Sequence, residues 1–363
     1  MARGVIAFTV YDALWEQKNN AGETPIDVAT PRNPDENYKV LLSFDGGGIK
    51  AILEAGILRA IQNELGEHLM SRIHWVGGTS CGGITSLALG AGLTVEQTRR
   101  LFLSGRQLAF CGNNRVLPKH NSNGIEDMLR VSFGAHTTMG QLKTQKVLVT
   151  AAKIKAAPPQ LVLFRSYAPR ITPKEYEKYG YMNPEKILMW KAARATSAAP
   201  IFFESYHGLA DGAIFCNNPC LTMMTDFFRL QRLENHKNIK NVDKIGCIIT
   251  VGSGIEPLVP LDGIDIDINW NSHTFVVQCT SSHAAVSQAR EWAHSLRIPY
   301  FRFSPRLSRA YDLDSIASDG IFDFMFETEV YLRTQAHKDI EDLCRLLKSM
   351  PKADVQDYNA IVH

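Results

Sequence analysis

The chain has 363 residues, with 39 Lys+Arg against 37 Asp+Glu and a formal net charge of +2 at pH 7, so it can bury a substantial core. No long basic block runs along it, which argues against a nucleic-acid partner. Its seven cysteines (Cys81, Cys111, Cys216, Cys220, Cys247, Cys279, Cys344) are odd in number and scattered, and the close pair Cys216 and Cys220 lacks zinc-site spacing, so reduced thiols and no metal are expected.

In chain order, residues 1–37 read as a loosely ordered leader that ends in the polar stretch ETPIDVATPRNPDEN. Asp12 and Glu16 interrupt the only early apolar run, and no later stretch approaches about 18 uncharged apolar residues. A cytoplasmic chain without a membrane span is expected, with contact to membranes at most peripheral. From Tyr38, strand and helix patterns alternate. YKVLLSF reads as a strand, and Ile49, Ile52, Leu53, Ile57, Ile61 and Leu65 follow at helical spacing. IHWVGG is a second strand and GGITSLALGAG a helix of small residues. Thr94 with Gln97 forms a capping-box pattern that opens a helix towards Phe110. KVLVTAAKI and QLVLF read as strands, and NPEKILMWKAARA as a helix with Asn183 at its cap and Pro184 in its first turn. IGCIITVGSG is a buried strand, YFRFSP an alternating one, and residues 319–348 one long closing helix, before a tail at 349–363. The alternation predicts an α/β fold with a largely parallel, layered central sheet.

Two glycine-rich stretches carry chemistry. Gly78-Thr79-Ser80-Cys81-Gly82 is G-x-S-x-G between an apolar strand and a small-residue helix. A serine projecting from such a bend needs small residues two positions to either side, because the backbone turns too sharply for a Cβ. Ser80 as a nucleophile needs a base: Asp211, followed by Gly212 and Ala213, is one candidate, and His207, His273, His283 and His294 are others. Taken alone, an Asp-Gly pair is more often a turn. The second stretch is LLSFDGGGIKA. Gly46, Gly48 and Ala51 only approximate a dinucleotide fingerprint, and Lys50 is followed by Ala51 and Ile52 where a phosphate-binding Walker loop needs Ser or Thr. The same free N–H groups would stabilise any anion, an oxyanion included, with Lys50 adding charge nearby.

DGGGIK, GTSCG and DGA, in this order, resemble the oxyanion loop, nucleophile elbow and base motif of patatin-like lipases. WVGGTSCGG, WKAARATSAAP, DGAIFCNNP and VGSG resemble the calcium-independent phospholipase A2 branch, over about residues 38–347. The resemblance makes residues 38–348 a patatin-like catalytic domain. It implies a Ser80–Asp211 dyad without histidine, Gly46, Gly47 and Gly48 as oxyanion donors, no cofactor, and calcium-independent hydrolysis of the sn-2 ester of glycerophospholipids. Lys50, Gly78, Gly82 and Gly212 would support the site. A carboxylate of ordinary pKa, about 3.9, is a weak base at neutral pH, so burial must raise it. Ala51 departs from the family's usual glycine, and 37 leader residues are too few for the upstream ankyrin repeats that many relatives carry. The resemblance also allows a homodimer, and a calmodulin contact through AVSQAREWAHSLRIPYFRF. Phe202, Phe203, Phe227, Phe228, Phe322, Phe324 and Phe326 are candidates for lipid contact, with core packing the better expectation for most of them. A broader lysophospholipase or neutral-lipid esterase would share all three motifs. A lipid- or nucleotide-binding module with an idle serine is the reading from outside the enzyme class.

Overall fold

Tyr38–Phe44 is apolar with almost no alternation because it becomes a strand covered on both faces, with every residue from Val40 to Phe44 buried. The computed structural model describes residues 18–353 apart from positions 20, 32, 111, 113–116, 258–277 and 316. Its strands are β1 (Tyr38–Phe44), β2 (Trp75–Gly78), β3 (Lys146–Lys153), β4 (Gln160–Arg165), β5 (Leu209–Asp211), β6 (Lys244–Val251) and β7 (Tyr300–Phe303). Its helices are α1 (Pro25–Ala29), α2 (Ala51–Leu65), α3 (Cys81–Gly90), α4 (Val95–Ala109), α5 (Ser122–Phe133), α6 (Met189–Thr196), α7 (Cys220–His236), α8 (His283–Ser295), α9 (Ser318–Thr334) and α10 (His337–Ser349).

The sheet runs in the order β4-β3-β2-β1-β6-β7. β1 pairs in parallel with β2 and β6, β2 with β3, and β6 with β7, as the strand–helix alternation implied. β3 and β4 are instead antiparallel, because residues 154–159 between them are too few for a helical crossover. The period-two pleat sends Val40, Leu42 and Phe44 into a core shared with residues of α2, α3, α9 and α10, and sends Leu41 to the opposite face among Trp75, Ile248, Met223 and Phe227 under α7 and α8. Helices on both faces of a mostly parallel sheet give the layered α/β architecture.

The capping box at Thr94 forms as read: Gln97 N–H donates to Thr94 Oγ1 at 3.1 Å, and Thr94 N–H donates to Gln97 Oε1 at 2.8 Å. Three expectations are corrected. Part of the leader is ordered, since Thr24 and Asp27 close a capping box on α1 and Ile26 packs against the core. Asn183 caps only a single turn at Pro184–Lys186, and α6 begins afresh at Met189. The backbone between them is engaged elsewhere: Ile187 C=O accepts from Met139 N–H at 2.7 Å, and Met189 N–H donates to Thr137 C=O at 2.9 Å. The closing helix is two helices, with a break at Gln335 and Ala336, both of whose N–H groups turn back to Tyr331 C=O. Ala336 is buried in that break, and the change of direction puts Ile340, Leu343 and Leu347 of α10 into the α2 core.

Candidate active site

Register brings the chemistry-bearing segments together. Phe44 at the end of β1 pairs with Gly78 at the end of β2 and with Val251 at the end of β6. The glycine loop, the Ser80 turn and the Gly252–Ser253 turn therefore emerge side by side at the carboxyl ends of parallel strands, where open α/β sheets form their sites. β4 occupies one edge of β3, so β2 and β5 share the other, with Gly78 opposite Val149 and Asp211 opposite Ala151. At about 3.3 Å per residue, β5 meets β2 head-on, roughly where the chain turns at Ser80.

Ser80 sits between β2 and α3 with φ 57° and ψ −125°, a conformation that costs a non-glycine residue roughly 1–3 kcal/mol. Its N–H donates to Thr196 Oγ1 at 2.8 Å, and Thr79 Oγ1 bonds Thr150 Oγ1 at 2.7 Å and Cys216 C=O at 2.9 Å, so the strained turn is held on both sides. The spacing of the motif has a steric cause. A Cβ on Gly78 would collide with the Gly82 carbonyl, and one on Gly82 with the Asp45 carbonyl and Phe44 Cβ. Gly82→Ala is therefore expected to cost roughly 1–3 kcal/mol of stability and to remove any activity of Ser80, with thermal unfolding and a fluorophosphonate label reading the two effects.

Asp211 ends β5 and is 2% exposed. Its Oδ1 accepts from Ala213 N–H at 2.8 Å, and its own N–H donates to Ala198 C=O at 2.9 Å. α6 and the turn after it thus anchor both the Ser80 backbone, through Thr196, and the Asp211 backbone, through Ala198. Burial pushes the Asp211 carboxyl up to about 7, against the opposing effect of the nearby Ser80 hydroxyl and of the hydrogen bond from the Ala213 amide. A Cβ on Gly212 would collide with Thr150 Oγ1.

The glycine loop lies beside Ser80: a Cβ on Gly46 would stand 3.1 Å from Ser80 Cβ. Two expectations about this loop change. Gly46 is not an open donor, because its N–H is taken by Asn217 C=O at 3.0 Å, while its carbonyl accepts from Ser253 Oγ at 2.8 Å and Asn217 Nδ2 at 3.2 Å. Gly47 and Gly48 are the loop glycines that line the cleft with Ser80. Gly48 has φ 59°, and Ile49 N–H donates to Leu313 C=O at 2.9 Å, so the loop is closed from above by the Leu313 segment. Lys50 supplies no loose charge either, since its ammonium is paired with Glu256 at 2.5 Å and its side chain is buried.

Above this floor opens a cleft walled mainly by apolar side chains such as Phe102, Phe110, Ile125, Met128, Phe202 and Phe203, with Asp211 and Ser80 among its lining. Phe202 and Phe203 are thus placed at the cleft, whereas Phe227 and Phe324 belong to the core and Phe322 and Phe326 are 65% and 70% exposed. None of the described histidines lines the cleft. His207, His283 and His294 are exposed at the surface, and His273 lies outside the described residues. His120, not among the sequence candidates, bonds Asp314 at 2.7 Å behind the Phe110–Phe203 wall. The C-terminal end of the segment read as a calmodulin contact is core: Ile298, Tyr300, Phe301 and Phe303 are buried, and Arg302 is held by Asp45. Among the described residues no helix is long and apolar enough to cross a membrane.

A serine on a strained strand-to-helix turn, a buried carboxyl and a glycine loop under one apolar cleft agree with comparison to known proteins. Residues 42–224, about half of the chain, match the model of the Patatin-like phospholipase family. The chain belongs to the patatin-like phospholipases. It is 30% identical over 345 residues to the 85/88 kDa calcium-independent phospholipase A2 of Rattus norvegicus, covering 89% of this chain and 42% of the relative. It is 28% identical over 324 residues to the intracellular phospholipase A2 of Caenorhabditis elegans, covering 85% of this chain and 29% of that protein. This patatin-like chain therefore spans less than half the length of these curated relatives. Among solved structures it is similar to human GIVD cytosolic phospholipase A2 in complex with methyl gamma-linolenyl fluorophosphonate, at 12% identity and a TM-score of 0.43, covering 90% of this chain and 62% of that one.

Proposed function

We propose that the chain is a serine acylhydrolase that cleaves the sn-2 fatty acyl ester of glycerophospholipids without calcium, with Ser80 as nucleophile and Asp211 as general base. The observation that carries this reading is that Ser80, on its strained turn, and a buried Asp211 line the base of one apolar cleft together. Ser80 Oγ attacks the acyl carbonyl while its proton passes to Asp211, and the negative charge that builds on the carbonyl oxygen meets the N–H groups of Gly47 and Gly48. Collapse breaks the ester bond, and the departing glycerol oxygen takes the proton from Asp211. Water then attacks the acyl-serine, with Asp211 accepting its proton, and as the acyl–oxygen bond breaks Ser80 Oγ takes that proton from Asp211, which releases a fatty acid and regenerates both groups. A carboxylate titrating near neutrality is matched to this work, because it is basic enough to accept the proton and a large share of it is still ionised near pH 7.

The phenylalanine walls suit an acyl chain and leave the phosphate outside. Leu108, 55% exposed and adjacent in sequence to the cleft residues Ala109 and Phe110, supports entry of lipid from a membrane surface. The test is product analysis on a phosphatidylcholine with different acyl chains at sn-1 and sn-2, with chelator present. Release of the sn-2 chain at an undiminished rate is the expected result. Release of sn-1 alone would reassign the position of cleavage. Turnover only of lysophospholipid or neutral ester would favour the broader esterase, and a requirement for calcium would overturn the metal independence.

A further inference from the structure

Beneath the glycine loop lies a charged cluster that no step above uses. Arg302 of β7 directs two nitrogens at Asp45, with Nη1–Oδ1 2.8 Å and Nη2–Oδ2 2.6 Å. Asn218 Nδ2 donates to the same Oδ1 at 2.6 Å, and Asn218 Oδ1 accepts from Cys220 N–H at 3.0 Å. Asp45 is 3% exposed and Asn218 1%. Glu54 of α2 is also fully buried, and burial with Asp45 nearby pushes its carboxyl well up, so it stays neutral and leaves Asp45 as the counter-charge of Arg302.

A buried ion pair of this kind is weak evidence for stability, because apolar residues of similar volume often serve as well. What it supplies here is geometry. Asp45 immediately precedes Gly46, and Asn218 follows Asn217 in the segment after Asp211. Asn217 grips Gly46 at both its N–H and its C=O. The glycine loop and the Asp211 loop are thus joined twice, at Gly46–Asn217 and at Asp45–Asn218, and Arg302 fastens that joint to the sheet. We propose that Asp45, Asn218 and Arg302 are positioning residues that hold the two loops in register, so that the N–H groups of Gly47 and Gly48 face the carbonyl oxygen under attack by Ser80. The proposal rests on the Ser80–Asp211 reading.

The test is Asn218→Asp, which sets a second carboxylate against Asp45 where an amide donated. Repulsion should open the joint until one of the two carboxyls takes up a proton, which restores an O–H to O bond. On a soluble short-chain ester at about pH 8, kcat should fall about 10- to 100-fold with KM within about twofold, as expected when donors are misaimed rather than binding lost. The ratio of variant to native kcat should then rise as pH is lowered towards about 6. The other titratable and charged groups around this joint include Arg302, Glu54, Cys81, whose thiol donates to the Asp45 carbonyl and is pushed well up by burial, Cys220, Tyr300 and, beside Arg302, Tyr331. Burial pushes the Cys220 thiol and the Tyr300 hydroxyl up, so both stay neutral across that range. Arg302→Lys should retain part of the rate that Arg302→Met loses, because lysine keeps the charge without the fork.

A merely structural role would lower the melting temperature and scale the rate equally at every pH. That pattern, a change in KM alone, or native kcat in both Asn218→Asp and Arg302→Met would overturn the proposal. Should Asn218→Asp not fold, Asn218→Ser takes its place: reduced kcat at unchanged KM supports the positioning role, and native kcat overturns it. Failure of the native chain to take a fluorophosphonate label at Ser80 would instead remove the reading on which the proposal rests.

Discussion

Ser80→Ala should lose ester hydrolysis by on the order of 10⁴-fold or more and all labelling by a fluorophosphonate probe, with its fold intact. The Ser80 side chain lines the cleft with Asp211, while the strained backbone is held by bonds from Thr79 and from the Ser80 N–H itself, which alanine keeps. Alanine therefore removes the nucleophile and leaves the turn in place. Single substitutions of His207, His273, His283 and His294, assayed beside it on the same phospholipid, should each retain turnover. A histidine variant as inactive as Ser80→Ala, with an unchanged melting curve, would replace the dyad by a triad.

Asp211→Asn should also be inactive, by about 10²- to 10⁴-fold, but its stability should move the other way. Burial raises the Asp211 carboxyl from an ordinary value of 3.8 to about 7 in the folded chain. The folded state therefore binds more protons than the unfolded state between those two values. The stability that this group contributes is present below about pH 4 and is lost as pH rises through about 7. Asparagine carries no such charge, so the variant should melt above the native protein at pH 8, and the gap should close towards pH 5. The same titration predicts that native kcat/KM climbs as pH rises through about 7 and levels once Asp211 is ionised. Melting curves and rate profiles across pH check both halves. A variant less stable than native at every pH would show that the carboxylate is stabilised rather than penalised by its burial.

The legible part of this site was the part that local sterics dictate. G-x-S-x-G is readable because a Cβ at Gly78 would collide with Gly82 of the same turn, whereas the clash at Gly82 comes from Phe44 and Asp45 of a distant segment. The glycine loop was readable as an anion cradle for the same reason, but not which of its amides are open. Gly46 and Gly47 look alike in LLSFDGGGIKA, and only the Asn217 carbonyl on a distant loop distinguishes them. Lys50 shows the converse, since its charge is visible in sequence and its neutralisation by Glu256, 206 positions away, is not. NNP and YFRF are both visible in the sequence, yet the bonds that join Asn218 and Arg302 to Asp45 appear only when three segments meet at one end of the sheet. The long closing helix failed as a reading because helical periodicity runs through the break at Gln335 and Ala336, and nothing in local propensity marks where α10 must turn to cover α2.

By itself, the sequence determined the layered α/β alternation, the serine turn and the glycine cradle, because each is set by spacing within a few residues, while spacing left Asp211 and four histidines as candidate bases. Tertiary structure decided which carboxyl faces Ser80, which amides remain open and which charges are cancelled. The physical reason is that a carboxyl becomes a base near neutrality only through burial. That burial is the work of β5 meeting β2 end to end along one edge of β3.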